Sequence, residues 1–181
     1  MTTEIAWPQK IAAGRVELED AQEFFSQLYE QYCERVYRYV VLRVGNSFDA
    51  EELVAETFLR AWKGLPSYQP RGAPVAAWLF RIAHNLVVDH LRRASRRPTA
   101  PLADDEPTPG GNSEYEATIR LTFDELKRAI TRLTEPQRQV IGLRFGAGLS
   151  LVEVARAMGR SQSAVKSLQH GALVALRRAI G

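Results

Sequence analysis

The chain has 181 residues, 45% of them hydrophobic and 25% charged, with a formal net charge of +3. That length supports one ordinary domain or two small ones, and the apolar share excludes a globally disordered chain. The single cysteine, Cys33, rules out an internal disulfide; no signal peptide is visible and no apolar run reaches membrane-spanning length, which fits a reducing cytosol.

Strand-type alternation is scarce, and apolar residues recur at helical spacing nearly throughout, so the expected fold is all-α. Residues 1–20 read as an N-terminal extension, ahead of a first helical domain over 21–97. Phe25, Leu28, Tyr32, Val36, Tyr39 and Val40 mark one face of a long helix, with Cys33 as a small core residue. Gly45-Asn46 breaks it. Asp49 then reads as an N-cap with Glu52 reaching back. The helix it opens carries Leu53, Phe58, Leu59 and Trp62, and Gly64 with Pro66 closes it. Beyond a loop over Pro66–Pro74, a helix from Val75 to about Arg97 turns Trp78, Ile82, Leu86 and Leu91 toward a core.

Residues 98–114 hold four prolines, two glycines and the acidic run Asp104-Asp105-Glu106, the composition of a linker. A second helical domain is expected over 115–181. Ile119, Phe123, Leu126, Ile130 and Leu133 step at helical intervals. Thr134 with Gln137, and Ser150 with Glu153, form capping-box patterns.

From Ser150 to His170 the chain reads as a helix-turn-helix. Ala155 is small where the helices cross, Gly159 suits the turn, and Val165 and Leu168 are apolar on the second helix. Ser161 caps that second helix. Gln162, Ser163, Lys166, Ser167 and His170 lie on its exposed turns, with Arg144 and Arg160 flanking as backbone clamps; such side chains reach base edges and phosphates. Charge follows the same division. Arg138, Arg144, Arg156, Arg160, Lys166, Arg177 and Arg178 face Glu153 alone, and Arg81, Arg92, Arg93, Arg96 and Arg97 face Asp89 alone. Two basic blocks around an acidic one point to two nucleic-acid contacts. In the first block, a loop bearing Tyr68 and Arg71 leads to a helix bearing Asn85. Rings stack on unpaired bases, an amide reads a base edge, and arginines hold phosphates.

LYEQYCERVYRYVVLRVGNSFDAEELVAETFLRAW followed by WLFRIAHNLVVDHLRR resembles the second conserved region of extracytoplasmic-function sigma factors, and LTEPQRQVIGLRFGAGLSLVEVARAMGRSQSAVKSLQH resembles their fourth. The resemblance covers roughly Gln27 to Arg97 and Leu133 to Arg178. It implies two helical domains, of regions 2 and 4, and a promoter-recognition subunit of RNA polymerase. It implies that Asp49, Glu51, Glu52, Leu53, Glu56, Thr57, Phe58 and Trp62 grip the beta-prime clamp helices of the polymerase core, with the beta flap as a second core contact. Tyr68, Ile82 and Asn85 would capture a base flipped from the minus-ten element, with Arg81, Arg92 and Arg93 on its backbone; the loop and charge patterns add Arg71 and Arg96 to that contact. Lys166, Ser167 and His170, with Arg160, would read the minus-thirty-five element, and the helix-turn-helix pattern adds Arg144, Gln162 and Ser163. The partners implied are core polymerase, promoter DNA both duplex and melted, and an anti-sigma factor. No catalytic residue, metal or cofactor is implied. Two departures from the family pattern stand out. Leu168, Gln169, Gly171 and Leu173 replace three arginines and a leucine, leaving fewer cationic contacts on the recognition helix. Ala55 stands where Gln is common, and His84 where Arg or a small residue is common.

The competing reading, a free-standing helix-turn-helix regulator, explains the second domain and leaves DAEELVAETF and the Trp78 helix without purpose. An enzyme is the weakest reading. His84, His90 and His170 lack metal-ligand spacing, and there is no phosphate-binding loop or nucleophile elbow.

Overall fold

The computed structural model describes residues 18–68, 74–96, 125–126 and 128–180. Among these every regular element is helical. Residues 1–17 of the extension, the linker, Arg71, Ile119 and Phe123 lie outside the described residues, whereas residues 18–20, expected to belong to the extension, open the first helix.

Helix α1 spans Leu18–Val44. Phe24, Leu28, Tyr32, Val36, Tyr39 and Val40 form its buried stripe, each a turn or so from the next. Phe25, expected on that stripe, is half-buried, and its neighbour Phe24 takes the core position. Cys33 is also half-buried rather than enclosed. Gly45, at φ 87°, ends the helix in a backbone conformation that costs glycine little.

Helix α2 spans Ser47–Gly64, three residues earlier in its start than the capping pattern predicts. Its cap is Asn46, whose Oδ1 accepts from the Asp49 backbone N–H at 2.8 Å. Asn is among the strongest N-caps, so it displaces Asp49 from that role. The Asp49 carboxylate instead accepts from Asn46 Nδ2 at 2.6 Å and sits 3.3 Å from His90 Nε2, which pins the start of α2 to the following long helix. Leu53, Val54, Phe58 and Ala61 face the core. A single 3-10 turn, Leu65–Ser67, follows.

Helix α3 spans Val75–Arg96. Its core stripe is Leu79, Phe80, Ala83, Leu86 and Val87, not the Trp78, Ile82, Leu86 and Leu91 stripe predicted. The helix carries two adjacent apolar stripes. The compact one, padded by Ala76 and Ala77, packs closest, and the large Trp78 and Ile82 are left half-buried at the edge.

In the second domain, Ile130 and Leu133 are buried as expected, whereas Leu126 is exposed. Helix α4, Glu135–Ile141, begins where the Thr134 backbone N–H donates to Gln137 Oε1 at 3.0 Å. It widens into a π-helical turn, Gly142–Gly146. Helix α5, Leu151–Met158, opens on the predicted capping box: Ser150 N–H donates to Glu153 Oε2 at 2.6 Å, and Glu153 N–H to Ser150 Oγ at 3.2 Å. Helix α6 is Gln162–Ile180. Helices α4, α5 and α6 pack around Leu143, Leu149, Val154, Val165 and Ala172, all completely buried.

The two domains touch. The π turn lies against α1, and α5 lies against α3, so that the buried apolar residues form a single cluster. No helix among the described residues is long and apolar enough to cross a membrane.

Candidate nucleic-acid interface

In the first domain a cavity of about 510 Å³ opens between the end of α2 and the start of α3, lined by Arg60, Gly64, Ser67, Tyr68, Trp78, Ile82 and Asn85. The sequence builds it locally. The 3-10 turn is tied by Tyr68 N–H donating to Leu65 O at 3.2 Å and by Ser67 Oγ donating to Gly64 O at 3.0 Å. That turn delivers the Tyr68 ring onto Trp78, with centroids 4.4 Å apart and planes tilted by 35°. Asn85 is exposed, one turn beyond Ile82 on the same wall. The pair of rings offers a stacking platform, and the amide offers a donor and an acceptor beside it, a combination suited to an unstacked base.

Tyr68, Ile82 and Asn85 are therefore brought together as predicted. Arg92, Arg93 and Arg96 are exposed along the last turns of α3. Arg81 is exposed too, and its Nη2 donates to the Arg156 carbonyl of α5 at 2.9 Å. Sequence reasoning missed Arg60. It stands one turn before Gly64 and one turn after Glu56, a spacing that places all three on one face. Its Nε lies 2.7 Å from Glu56 Oε1.

In the second domain, Gly159 adopts φ 62°, ψ 36°, the left-handed turn expected of a helix-turn-helix, with Ala155 and Val165 buried behind it. Ser161 caps α6 by accepting from Ala164 N–H at 3.2 Å. Arg160, Gln162, Ser163, Lys166, Ser167 and His170 are all exposed around the start of α6. Arg144 is placed differently. It donates to Gln169 Oε1 at 3.3 Å and to the Leu149 carbonyl, so it braces the loop before α5 instead of standing free beside α6.

The residues predicted to grip polymerase divide in two. Glu51 and Glu52 are exposed, Asp49, Glu56 and Trp62 half-buried. Leu53, Thr57 and Phe58 are buried: the Thr57 hydroxyl donates to Leu53 O at 2.7 Å, and Phe58 meets Phe25 edge-on at 6.2 Å. These three shape α2 from inside and present no side chain outward. Phe48, 75% exposed at the start of α2, lies on the accessible part of this helix and was not foreseen.

Behind these surfaces lies a buried polar chain. Arg43 Nη1 donates to Tyr39 Oη at 3.2 Å, which leaves the phenolic proton for His84 Nδ1 at 3.1 Å. Burial pushes the Tyr39 hydroxyl up to about 12, opposed by the nearby Arg43 charge. Burial, then the Arg43 charge, pulls the His84 imidazole below its ordinary value. A neutral His84 accepting at Nδ1 satisfies the Tyr39 hydroxyl, while the buried Nε of Arg43 is left without a hydrogen-bond partner. This gives His84, a departure from the family pattern, a structural part.

Residues 28–97 match the family described as Sigma-70 region 2, and residues 129–178 match Sigma-70, region 4. The chain is 38% identical over 156 residues to the ECF RNA polymerase sigma factor BldN of Streptomyces coelicolor, covering 85% of this chain and 59% of that relative's length. It is 31% identical over 150 residues to the ECF RNA polymerase sigma factor SigL of Mycobacterium tuberculosis, covering 83% of this chain and 85% of SigL. Among solved structures it resembles CnrH, determined in complex with the cytosolic domain of CnrY, with a TM-score of 0.67, 25% identity and 94% of each chain covered.

Proposed function

The chain belongs to the extracytoplasmic-function sigma factors of the sigma-70 family, and we propose that it directs core RNA polymerase to promoters by dividing the work between its two domains. The observation that carries this reading is the cavity of Tyr68, Trp78, Ile82 and Asn85, built for one unstacked base, on the same chain as an exposed helix-turn-helix. The first domain, about residues 21–97, holds the melted minus-ten strand: the base in the cavity, the backbone on Arg92, Arg93 and Arg96. The second, about residues 115–181, seats α6 in the major groove of the minus-thirty-five element through Lys166, Ser167 and His170. The polymerase clamp helices meet α2 through Glu51, Glu52 and Glu56, with Phe48 as an apolar anchor, an acidic and apolar face suited to a basic partner.

The protein acts in the cytoplasm as a binding subunit, with no reaction of its own. An anti-sigma factor is a further expected partner, consistent with CnrH having been solved with CnrY. The recognition helix is poor in arginine, so the second domain binds duplex weakly alone and works as one anchor of a larger complex. Run-off transcription with purified core tests the reading. Transcription only when protein and core are combined supports it. Tight specific duplex binding by the protein alone, with no stimulation of core, supports a free-standing regulator instead.

A further inference from the structure

The base cavity of the first domain carries a charge for which Tyr68, Trp78, Ile82 and Asn85 do not account. Among the described residues that line it, Arg60 is the only ionised side chain. It stands on α2, whereas Trp78, Ile82 and Asn85 stand on α3. Its side chain is 49% exposed, so it lies at the rim. Arg60 Nε donates to Glu56 Oε1 at 2.7 Å, with the acid one turn ahead of the base, the order that suits a helix. A pair this exposed adds little to stability. Its effect is geometric. It fixes the guanidinium through Nε and leaves both Nη groups, four N–H donors in a rigid fork, for the cavity. Gly64, one turn further along α2, leaves room between that fork and the platform. A Cβ there would already lie 3.4 Å from Trp78 Cζ2, so a larger side chain would press on the ring.

None of the other described arginines assigned to the minus-ten strand lines this cavity. Arg92 lies about 10 Å beyond Asn85 along α3, and Arg93 and Arg96 lie further still. These suit the phosphates that follow along the strand. Arg81 donates to the Arg156 carbonyl. A base rotated out about its backbone leaves its own phosphate at the mouth of the pocket that receives it. At this mouth the cation is Arg60.

We propose that Arg60, positioned by Glu56, binds the phosphate of the flipped nucleotide, so that the cavity captures a whole nucleotide and not a base alone. The ring lies on Tyr68 and Trp78, the base edge on Asn85, and the phosphodiester on Arg60. This assignment rests on the reading of the cavity as the site of the flipped minus-ten base. The two Nη groups meet the non-bridging oxygens end-on while Nε stays on Glu56. Such a contact is blind to the base, so Arg60 sets affinity and Asn85 sets choice.

The test pairs variants of the full chain, bound to core polymerase, with single-stranded minus-ten oligonucleotides in which one phosphodiester at a time is replaced by an uncharged methylphosphonate. Binding is read by fluorescence anisotropy. For the parent, neutralising the linkage beside the flipped base should weaken binding about tenfold, the low end for a hydrogen bond between charged groups. Arg60→Ala should lose about as much on the native strand, alike for all four bases at the flipped position, and nothing more on the neutralised strand. Arg60→Lys should recover most of the loss and Arg60→Gln none, which separates charge from packing. An unchanged melting temperature shows that Arg60→Ala folds; if it melts lower, Arg60→Gln takes its place in the comparison. Parental binding by Arg60→Ala, a loss that depends on the base, or losses that multiply at every linkage would overturn the proposal. The base-cavity reading would survive that result if Asn85→Ala still removed base preference. No base preference in the parent, and no effect of Asn85→Ala, would overturn both.

Discussion

Asn85→Ala separates base reading from every other role of the first domain. Asn85 is exposed in the cavity wall, and among the described residues nothing is hydrogen-bonded to it. Removing its amide should therefore leave folding intact, and the change to Ala in mid-helix should add up to about 0.6 kcal/mol of stability. Loss of a hydrogen-bonded base edge costs about 1–3 kcal/mol, which corresponds to about a 5- to 150-fold rise in Kd. The Tyr68–Trp78 platform remains, and stacking is worth about 1–3 kcal/mol per base, so binding should weaken without vanishing. The assay is fluorescence anisotropy of the core-bound protein with four single-stranded oligonucleotides, differing only at the flipped base. The parent should prefer one base, and the variant should bind all four at nearly the level of the parent's poorer ones. Permanganate reactivity of promoter thymines should fall in parallel while affinity for core stays unchanged. An equal loss on all four bases, a parallel loss of core binding, or a lowered melting temperature would refute the reasoning.

Arg93→Ala should weaken oligonucleotides of every sequence alike and reduce the salt slope of binding by about 0.7, measured by titration between 50 and 200 mM salt. Ser150→Ala removes one arm of the capping box on α5 and should cost about 1 kcal/mol, read as faster amide exchange across residues 151–158. Gly171→Ala should stabilise α6 by about 0.5–1 kcal/mol, because the added methyl meets only the flexible end of Gln137 at 3.4 Å; greater exchange protection over residues 162–180 would show it. The lowered pKa of His84 means that the unfolded chain takes up the proton first. Stability from this group is complete above about pH 6.5 and is lost as pH falls toward the folded pKa, so urea midpoints should drop between pH 7.5 and 5.5, and less so in His84→Asn. Tyr39 behaves oppositely. Its contribution is complete below about pH 10 and lost toward 12, a drop that Tyr39→Phe should lack.

Much of this was legible from local rules. The stripe of α1 from Leu28 to Val40, the Gly45 break, the Ser150–Glu153 box and the Gly159 turn each depend on a few neighbouring residues, and each appears in the structure as read. So does the gathering of Tyr68, Ile82 and Asn85, because one short turn and one helical face bring them together. Errors arose where two local solutions compete. Asn46 and Asp49 both suit an N-cap, and only the reach of His90 from α3 makes Asp49 more useful elsewhere. Helix α3 carries two apolar stripes, and tertiary packing selected the smaller-residue one. Thr57 and Phe58 lie in a stretch expected to meet polymerase, yet helix phase turns them inward. Arg35, Arg43 and Glu135 were not legible as partners, because they lie about a hundred residues apart and pair only through the way the domains dock.

The uninterrupted cluster of buried side chains, running from α1 through the π turn to α6, makes the domains share one melting transition while they are docked. A substitution that weakens α6 then lowers the apparent stability of α1, although the two helices belong to different family regions. Any substitution that separated the docked domains would remove that mutual support and expose both to protease together.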